Sequence, residues 1–456
     1  MRRFWAVVVP QWADHNLRVI LLSRIAMSVG RAVSSVVTAL YLAQIGFSAV
    51  RIGALFVAVT VTSALMSSAI GLLADRWGRR PFLIVVPLIA AGSAVAFATT
   101  RITVVLFLAA ALGSFGRGSG AGAGNVGPYQ PAESALIAET VRADRRAAAF
   151  ARLSFVSSIG ALLGGLAAMV VRSTPHMTPA EATAAYRPAF LIAAVLAALA
   201  GLLGLWLREP ARRPRTAGER RPRVRWPRRS WPALWRFWVT NATNGAGIGL
   251  FGPFVSYWFF RRYGATPATI GLLFALVNIA SLAPTLAASR VARRLGTVRA
   301  IVVVRIIGAA LLVPMVLAPT FWLAGVVYIA RMMVQRIGLP LRQSFTQDMA
   351  DPQERASVAA LSNLPAQGTM AAGQAVGGWL FDQVDLAAPF LMAAVFQLAN
   401  AVLYWALFSL RPPRPLEPPD AGPTPVPPSH ESATDIVVPP MPRRSRAAHR
   451  ARRSTL

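Results

Sequence analysis

Apolar runs of about twenty residues recur along the chain, and the short gaps between them hold most of the charge. A run of that length can cross the ~30 Å hydrocarbon core of a bilayer as one helix. Twelve spans are predicted, over residues 19–41, 52–73, 82–99, 103–126, 147–171, 188–207, 237–260, 268–289, 300–318, 320–341, 357–380 and 388–410. Residues 208–236, rich in arginine, proline and tryptophan, part them into two sets of six. The division predicted is 1–207, a linker at 208–236, 237–410, and a tail at 411–456. Met1-Arg2-Arg3 precedes only seven apolar residues and then the polar QWADHN, so no cleavable signal is expected.

Arginine placement orients the spans. Connections 42–51, 100–102, 172–187 and 261–267 hold six arginines, whereas the connections and termini on the other side hold 35. Positive residues stay on the cytoplasmic side. Both termini are therefore expected inside, in a multi-pass protein of the cell inner (plasma) membrane.

Composition agrees: 55% of residues are hydrophobic and 14% charged, with mean hydropathy +0.51. A soluble domain carries roughly 25% charged residues. All 47 basic residues are arginine, so a lysine-containing phosphate loop, and the usual ATP-driven engine, is excluded. With no cysteine there are no disulfides, thiolate metal sites or cysteine nucleophiles. The histidines (His15, His176, His430, His449) sit in four unrelated places, which gives no metal-ligand cluster. Neither enzyme nor cofactor chemistry is indicated. The net charge of +30 is read as cytoplasmic arginine rather than nucleic-acid binding.

The tail is proline-rich, then basic (RRSRAAHRARR), with too little apolar content to fold alone. Its clustered arginines suit anionic membrane lipid. Trp226, Trp231, Trp235 and Trp238 interleave with arginines before span seven, as in an interfacial helix.

After span two the chain reads Gly71-Leu72-Leu73-Ala74-Asp75-Arg76-Trp77-Gly78-Arg79-Arg80-Pro81. This resembles the G-x-x-x-D-R-x-G-R-R signature of the major facilitator superfamily, at the family's usual place between helices two and three. Gly71 would let a neighbouring helix approach. Asp75 suits the positive N-terminus of a facing helix. The resemblance implies a conformational latch formed by Gly71, Asp75, Arg76, Gly78, Arg79 and Arg80. Asp75 would reach the start of helix eleven near Ala356, and Glu139 would pair with Arg79. An internal repeat supports the family: ALIAETVRADRRAAAF after span four resembles FTQDMADPQERASVAA after span ten, with Arg146 matching Arg355. Arg293-Arg294-Leu295-Gly296 echoes Arg76-Trp77-Gly78 without the aspartate. The fold expected is an all-α membrane protein of twelve transmembrane helices in two pseudo-symmetric six-helix bundles. Span five carries Gly160-Ala161-Leu162-Leu163-Gly164-Gly165, where the family's antiporters have a glycine-proline motif; Ala161 stands in place of the proline. That departure leaves the transport direction open.

Ionisable residues deep in a span are functional candidates by default. At ~1.5 Å per residue, Arg31, Arg117 and Arg331 lie roughly 16–21 Å into spans one, four and ten. Arg24, Arg305 and Arg336 lie nearer span ends, where arginine snorkels to the interface. Around Arg117 five glycines between Gly118 and Gly127 leave amides that could cradle an oxyanion beside the guanidinium. Tyr129, Gln130, Asn241, Asn244, Tyr257, Gln335 and Gln374 are candidates for the rest of a substrate pocket, or for hydrogen bonds between helices. Glu133 is the candidate proton-coupling carboxylate, or else a permanent partner of Arg117 or Arg152. The function expected is secondary active transport of a small molecule by alternating access. Proton-coupled efflux comes first, then uptake of an anionic solute, then a non-transporting sensor on the same fold. Its partners would be the substrate, protons and membrane lipid, with no nucleic acid, and the protein would act as a monomer.

Overall fold

The computed structural model describes residues 12–116, 127–174, 177–209, 226–281, 284–351, 354, 357–358 and 361–409. The linker between 210 and 225 and the tail from 410 lie outside the described residues, as do Arg117 and its glycine run up to 126. No strand occurs among the described residues.

The first half runs through α1 (His15–Gln44), α2 (Ala49–Trp77), α3 (Arg80–Thr99), α4 (Thr103–Gly113), α5 (Gln130–Thr140), α6 (Arg146–Ala167) and α7 (Pro179–Leu203). The second runs through α8 (Trp231–Phe251), α9 (Val255–Tyr263), α10 (Pro267–Ala280), α11 (Pro284–Leu295), α12 (Thr297–Ala310), α13 (Leu312–Leu317), α14 (Phe321–Asp348), α15 (Leu364–Gln383) and α16 (Ala388–Phe408). Spans one, two, three, five, six, ten and twelve are single α-helices, and in span eleven α15 begins only at Leu364, after a turn at Ser362-Asn363. Spans four, seven, eight and nine are each made of two. Span seven breaks at Gly252-Pro253, where proline removes a backbone donor, and span nine is interrupted just before Pro314.

Several boundaries differ from the sequence expectation. α1 begins at His15 and α12 at Thr297, each a few residues early. α7 begins at Pro179 because Thr178 and Glu181 form a reciprocal capping box there. Span four is not one helix over 103–126: α4 stops at Gly113, Ser114 takes a left-handed conformation (φ 55°), and α5 starts only at Gln130.

Among the described residues, seven helical stretches are long and apolar enough to cross a membrane, span nine being counted through its interruption. Span ten (α14) and span eleven (α15) are as long but carry Arg331, Gln335, Arg336 and Gln374, which lower their apolar content. Leu65, Leu72, Val195, Val326 and Val402 are more than half exposed, as lipid-facing side chains are. α1, by contrast, is buried on nearly every side.

The packing repeats between halves. α1 lies against α6, and α8 against α15; α3 lies against α7, and α12 against α16. Across the halves, α2 meets α15 and α6 meets α10. Counted in spans, each partner of a pair is the other shifted by six. These cross-contacts gather at the end of the molecule away from the linker, here the far end. Gly53 and Gly378 let α2 and α15 touch there, and a Cβ on Gly53 would lie 2.7 Å from the Gln374 carbonyl oxygen.

Candidate functional site

Among its described residues the first half holds one buried ion pair. Arg24 of α1 donates through Nη1 to Glu133 Oε2 of α5 at 2.6 Å, and through Nε to Ser157 Oγ of α6 at 2.7 Å. Arg24 is 5% exposed and Glu133 2%. Arg24 therefore does not snorkel. Its helix starts four residues earlier than the apolar run suggested, and α5 and α6 close over it. Arg152, the other described candidate partner for Glu133, instead stacks over the Trp12 ring at 5.8 Å. Tyr129, at the N-terminus of α5, is buried with its hydroxyl unpartnered. Gln130, next to it, opens the helix half-buried.

Arg31 donates through Nη2 to the Ser114 carbonyl at 3.1 Å. That carbonyl lies just past the end of α4, where a cation complements the helix dipole. The adjoining cavity, lined by Arg31, Ser34 and Ser114, holds about 20 Å³, room for one water.

The second half buries arginines among neutral groups. Arg305 of α12, 9% exposed, donates to the side-chain oxygen of Asn244 on α8. It too fails to snorkel, because α8 and α16 pack over it. Arg331 of α14, 1% exposed, donates through Nε to the Gly308 carbonyl at 3.2 Å and lies 4.7 Å from the Phe251 ring centre. Its Nη2 has no partner. Arg336 is half-buried, and with Asn244, Arg305, Gln335, Arg342 and Gln397 it lines a cavity of about 220 Å³.

The structure thus gives Arg31 and Arg331 separate partners in separate halves. Asn241 and Gln374 are occupied in joining elements. Asn241 Nδ2 donates to the Ser362 carbonyl at 2.8 Å, and Gln374 Oε1 accepts from Thr60 Oγ1 at 3.0 Å across the halves. Tyr257 packs its ring on Phe254 and Phe381.

In the loop after α2, Gly78 has φ 91° and ψ 172°, a conformation open essentially to glycine alone. The Glu209 carboxylate sits where a Cβ would be, and accepts from the Arg79 backbone N–H at 2.6 Å. Arg79 pairs with Glu139, and Arg80 Nη2 donates to the Leu205 carbonyl at 2.6 Å. Arg76 is exposed in the last turn of α2. Among the described residues, nothing lies within 4 Å of where a Cβ on Gly71 would be. The Asp75 side chain and Ala356 lie outside the described residues.

At the far end, both carboxylate oxygens of Asp382 on α15 accept from the first amides of α2, Ala49 N at 2.9 Å and Val50 N at 2.8 Å. This is a charge-assisted cap on a helix N-terminus, spanning the two halves. Asp382, Glu209 and Gln397 were not picked out from the sequence, and Arg24 and Arg305 were read there as snorkelling arginines. Three polar residues near span ends (Asp382, Arg24, Arg305) give a signal only if the helix bounds are known.

A polytopic helical protein with two repeated halves and charged groups buried in each is built as a membrane transporter. The Major Facilitator Superfamily model matches residues 20–242 and 237–442, and the chain belongs to that family. Among solved structures it is similar to the nucleoside transporter NupG, at 15% identity over 87% of this chain and 99% of that one, with TM-score 0.65. It is similar to a peptide transporter of the POT family in complex with sulfate, at 16% identity over 90% and 98%, with TM-score 0.67. A D-xylose–proton symporter is likewise similar, at 15% identity over 86% and 97%, with TM-score 0.63. No curated protein matches.

Proposed function

We propose that this secondary transporter carries a small anionic solute together with protons. It would lie in the cell inner membrane with both termini cytoplasmic. The arginine asymmetry supports the orientation. The far end then faces outward, held shut by Asp382 on the α2 N-terminus, and the pocket is reached from the cytoplasmic side. Substrate crosses as the two halves rock about a central site. The loop from Gly71 to Arg80, with Asp75 and Glu139, would latch the cytoplasmic side in the opposite state.

The observation that carries proton coupling is the Arg24–Glu133 pair, a carboxylate at 2% exposure facing one guanidinium. A proton on Glu133 leaves the positive charge of Arg24 uncompensated. Protonation therefore favours anion binding, and by linkage the anion favours protonation equally. Ligands that favour each other load together, which with an inward proton gradient is uptake. Proton-driven export requires protonation to oppose substrate binding. Glu133 would do that for a cation, but the arginines of the second half disfavour a cation, so export comes second.

The test is transport in proteoliposomes with an imposed pH gradient, using a panel of radiolabelled organic anions. Acid outside should drive accumulation, and Glu133→Gln should abolish accumulation while leaving exchange at equal pH. Gradient-driven accumulation by Glu133→Gln would overturn the coupling.

A further inference from the structure

The cavity of about 220 Å³ in the second half has an unusual lining. Its polar residues are Asn244, Arg305, Gln335, Arg336, Arg342 and Gln397, and no carboxylate is among them. It is drawn from spans seven, nine, ten and twelve, all of one half, and so is distinct from the contact between halves. The acidic residues of residues 231–409 are Asp348, Asp351, Glu354, Asp382 and Asp385, all near helix ends. Among the described residues, Arg305 hydrogen-bonds the neutral Asn244. Gln397, 1% exposed, lines the cavity with a buried Nε2 that has no partner. A buried donor left unmade is costly, so its pairing with a ligand acceptor is favoured. The space is large enough for several waters, or for a solute with one or two anionic groups. Arg342 also lines a wider groove of about 580 Å³ with Asn241, Gln343, Gln347 and Ser362, at the linker end. That groove offers an entry.

We propose that this cavity binds an oxyanion. Arg305, Arg336 and Arg342 supply charge and forked donors to a carboxylate or phosphate, and Gln335 and Gln397 supply neutral donors. Asn244 holds Arg305 in position. The role of the site as a substrate site rests on the transport reading above; its anion binding does not.

The test is calorimetric titration of the purified full chain with inorganic phosphate and with succinate, in detergent and in nanodiscs of phosphatidylcholine alone. Binding is expected, weakened about tenfold by Gln397→Leu, which removes one donor to a charged group. Arg336→Lys should recover little over Arg336→Met, because an ammonium lacks the fork. Nanodiscs containing phosphatidylglycerol form the second arm. If a lipid headgroup is the natural occupant, they should suppress phosphate binding in the wild type, and Gln397→Leu should lessen the retention of that lipid. Gln397→Leu is close to isosteric, and thermal unfolding checks that it is folded. No binding of phosphate, succinate or phosphatidylglycerol, or binding unchanged in folded Gln397→Leu and Arg336→Met, overturns the site. Intact binding with no proton-driven uptake would overturn the transport reading alone.

Discussion

The two halves share a packing plan but treat buried charge in opposite ways. In the first, Arg24 reaches a carboxylate, Glu133, across three helices. In the second, Arg305 and Arg331 are as deeply placed, yet they bond an amide, a carbonyl and an aromatic face. A buried pair is close to neutral for its surroundings, whereas lone buried guanidiniums leave a positive potential in a poorly screening medium. The first half is therefore suited to proton coupling, since a proton on Glu133 turns a neutral pair into a net positive site. The second is suited to attracting an anion. Division of labour follows from where the acids are, since the helices themselves are near repeats.

The contrast can be broken most strongly at the pair. Glu133→Ala strands Arg24 and should destabilise the protein by about 3–5 kcal/mol. Replacing both partners, Arg24→Met with Glu133→Leu, should recover most of that loss. Arg331→Met leaves no orphaned acid behind and should shift stability by only about 1 kcal/mol. Thermal unfolding in detergent ranks the variants; equal losses for Glu133→Ala and Arg331→Met would erase the difference between halves.

A second comparison uses the matching turns after spans two and eight. Gly78 (φ 91°, ψ 172°) and Gly296 (φ 77°, ψ 153°) share one backbone conformation. Each alanine substitution should cost about 1–3 kcal/mol for that conformation. Gly78→Ala should cost more, since its Cβ collides with the Glu209 carboxylate, while among the described residues nothing lies within 4 Å of a Cβ on Gly296. Gly78→Ala with Glu209→Ala should approach Gly296→Ala in melting temperature. If Gly296→Ala proves the worse of the two singles, the Glu209 contact has no energetic role.

The smallest effect is expected where the halves meet. Asp382→Asn keeps the shape but removes the charge facing the α2 amides. It should weaken the far-end closure by about 0.3–1 kcal/mol, shifting the populations of the two states up to several-fold. Spin-label distances between residues 50 and 384 should broaden toward longer values. An unchanged distribution would mean that glycine packing alone holds the end closed.

Some of this was legible in the chain. The apolar runs, their division into two sets of six, and the loop from Gly71 to Arg80 led to the fold and family. The pairing of Arg79 with Glu139 was expected from the motif, and the two are in contact. Depth was read less well. Counting from the apolar run put Arg24 near an interface, but α1 extends back to His15, a turn of polar residues that hydropathy does not count as span. Asn241 was a pocket candidate and proves to be tied to Ser362, 121 residues away. A hydrogen-bonding side chain looks the same in sequence whether its partner is a ligand or a backbone carbonyl.

Twelve spans, two halves and family membership were determined by the sequence itself, because bilayer thickness and turn motifs act on stretches of a few to about twenty residues. Which buried arginine finds an acid was decided only by tertiary structure. Arg24 and Glu133 are 109 residues apart, and their meeting depends on the break in span four and on how α1, α5 and α6 are rotated against one another. The same holds for Asp382 and the first turn of α2, which are more than 330 residues apart. A charge pair needs its atoms within about 4 Å, and no local pattern encodes the rotation of one helix against another to that precision.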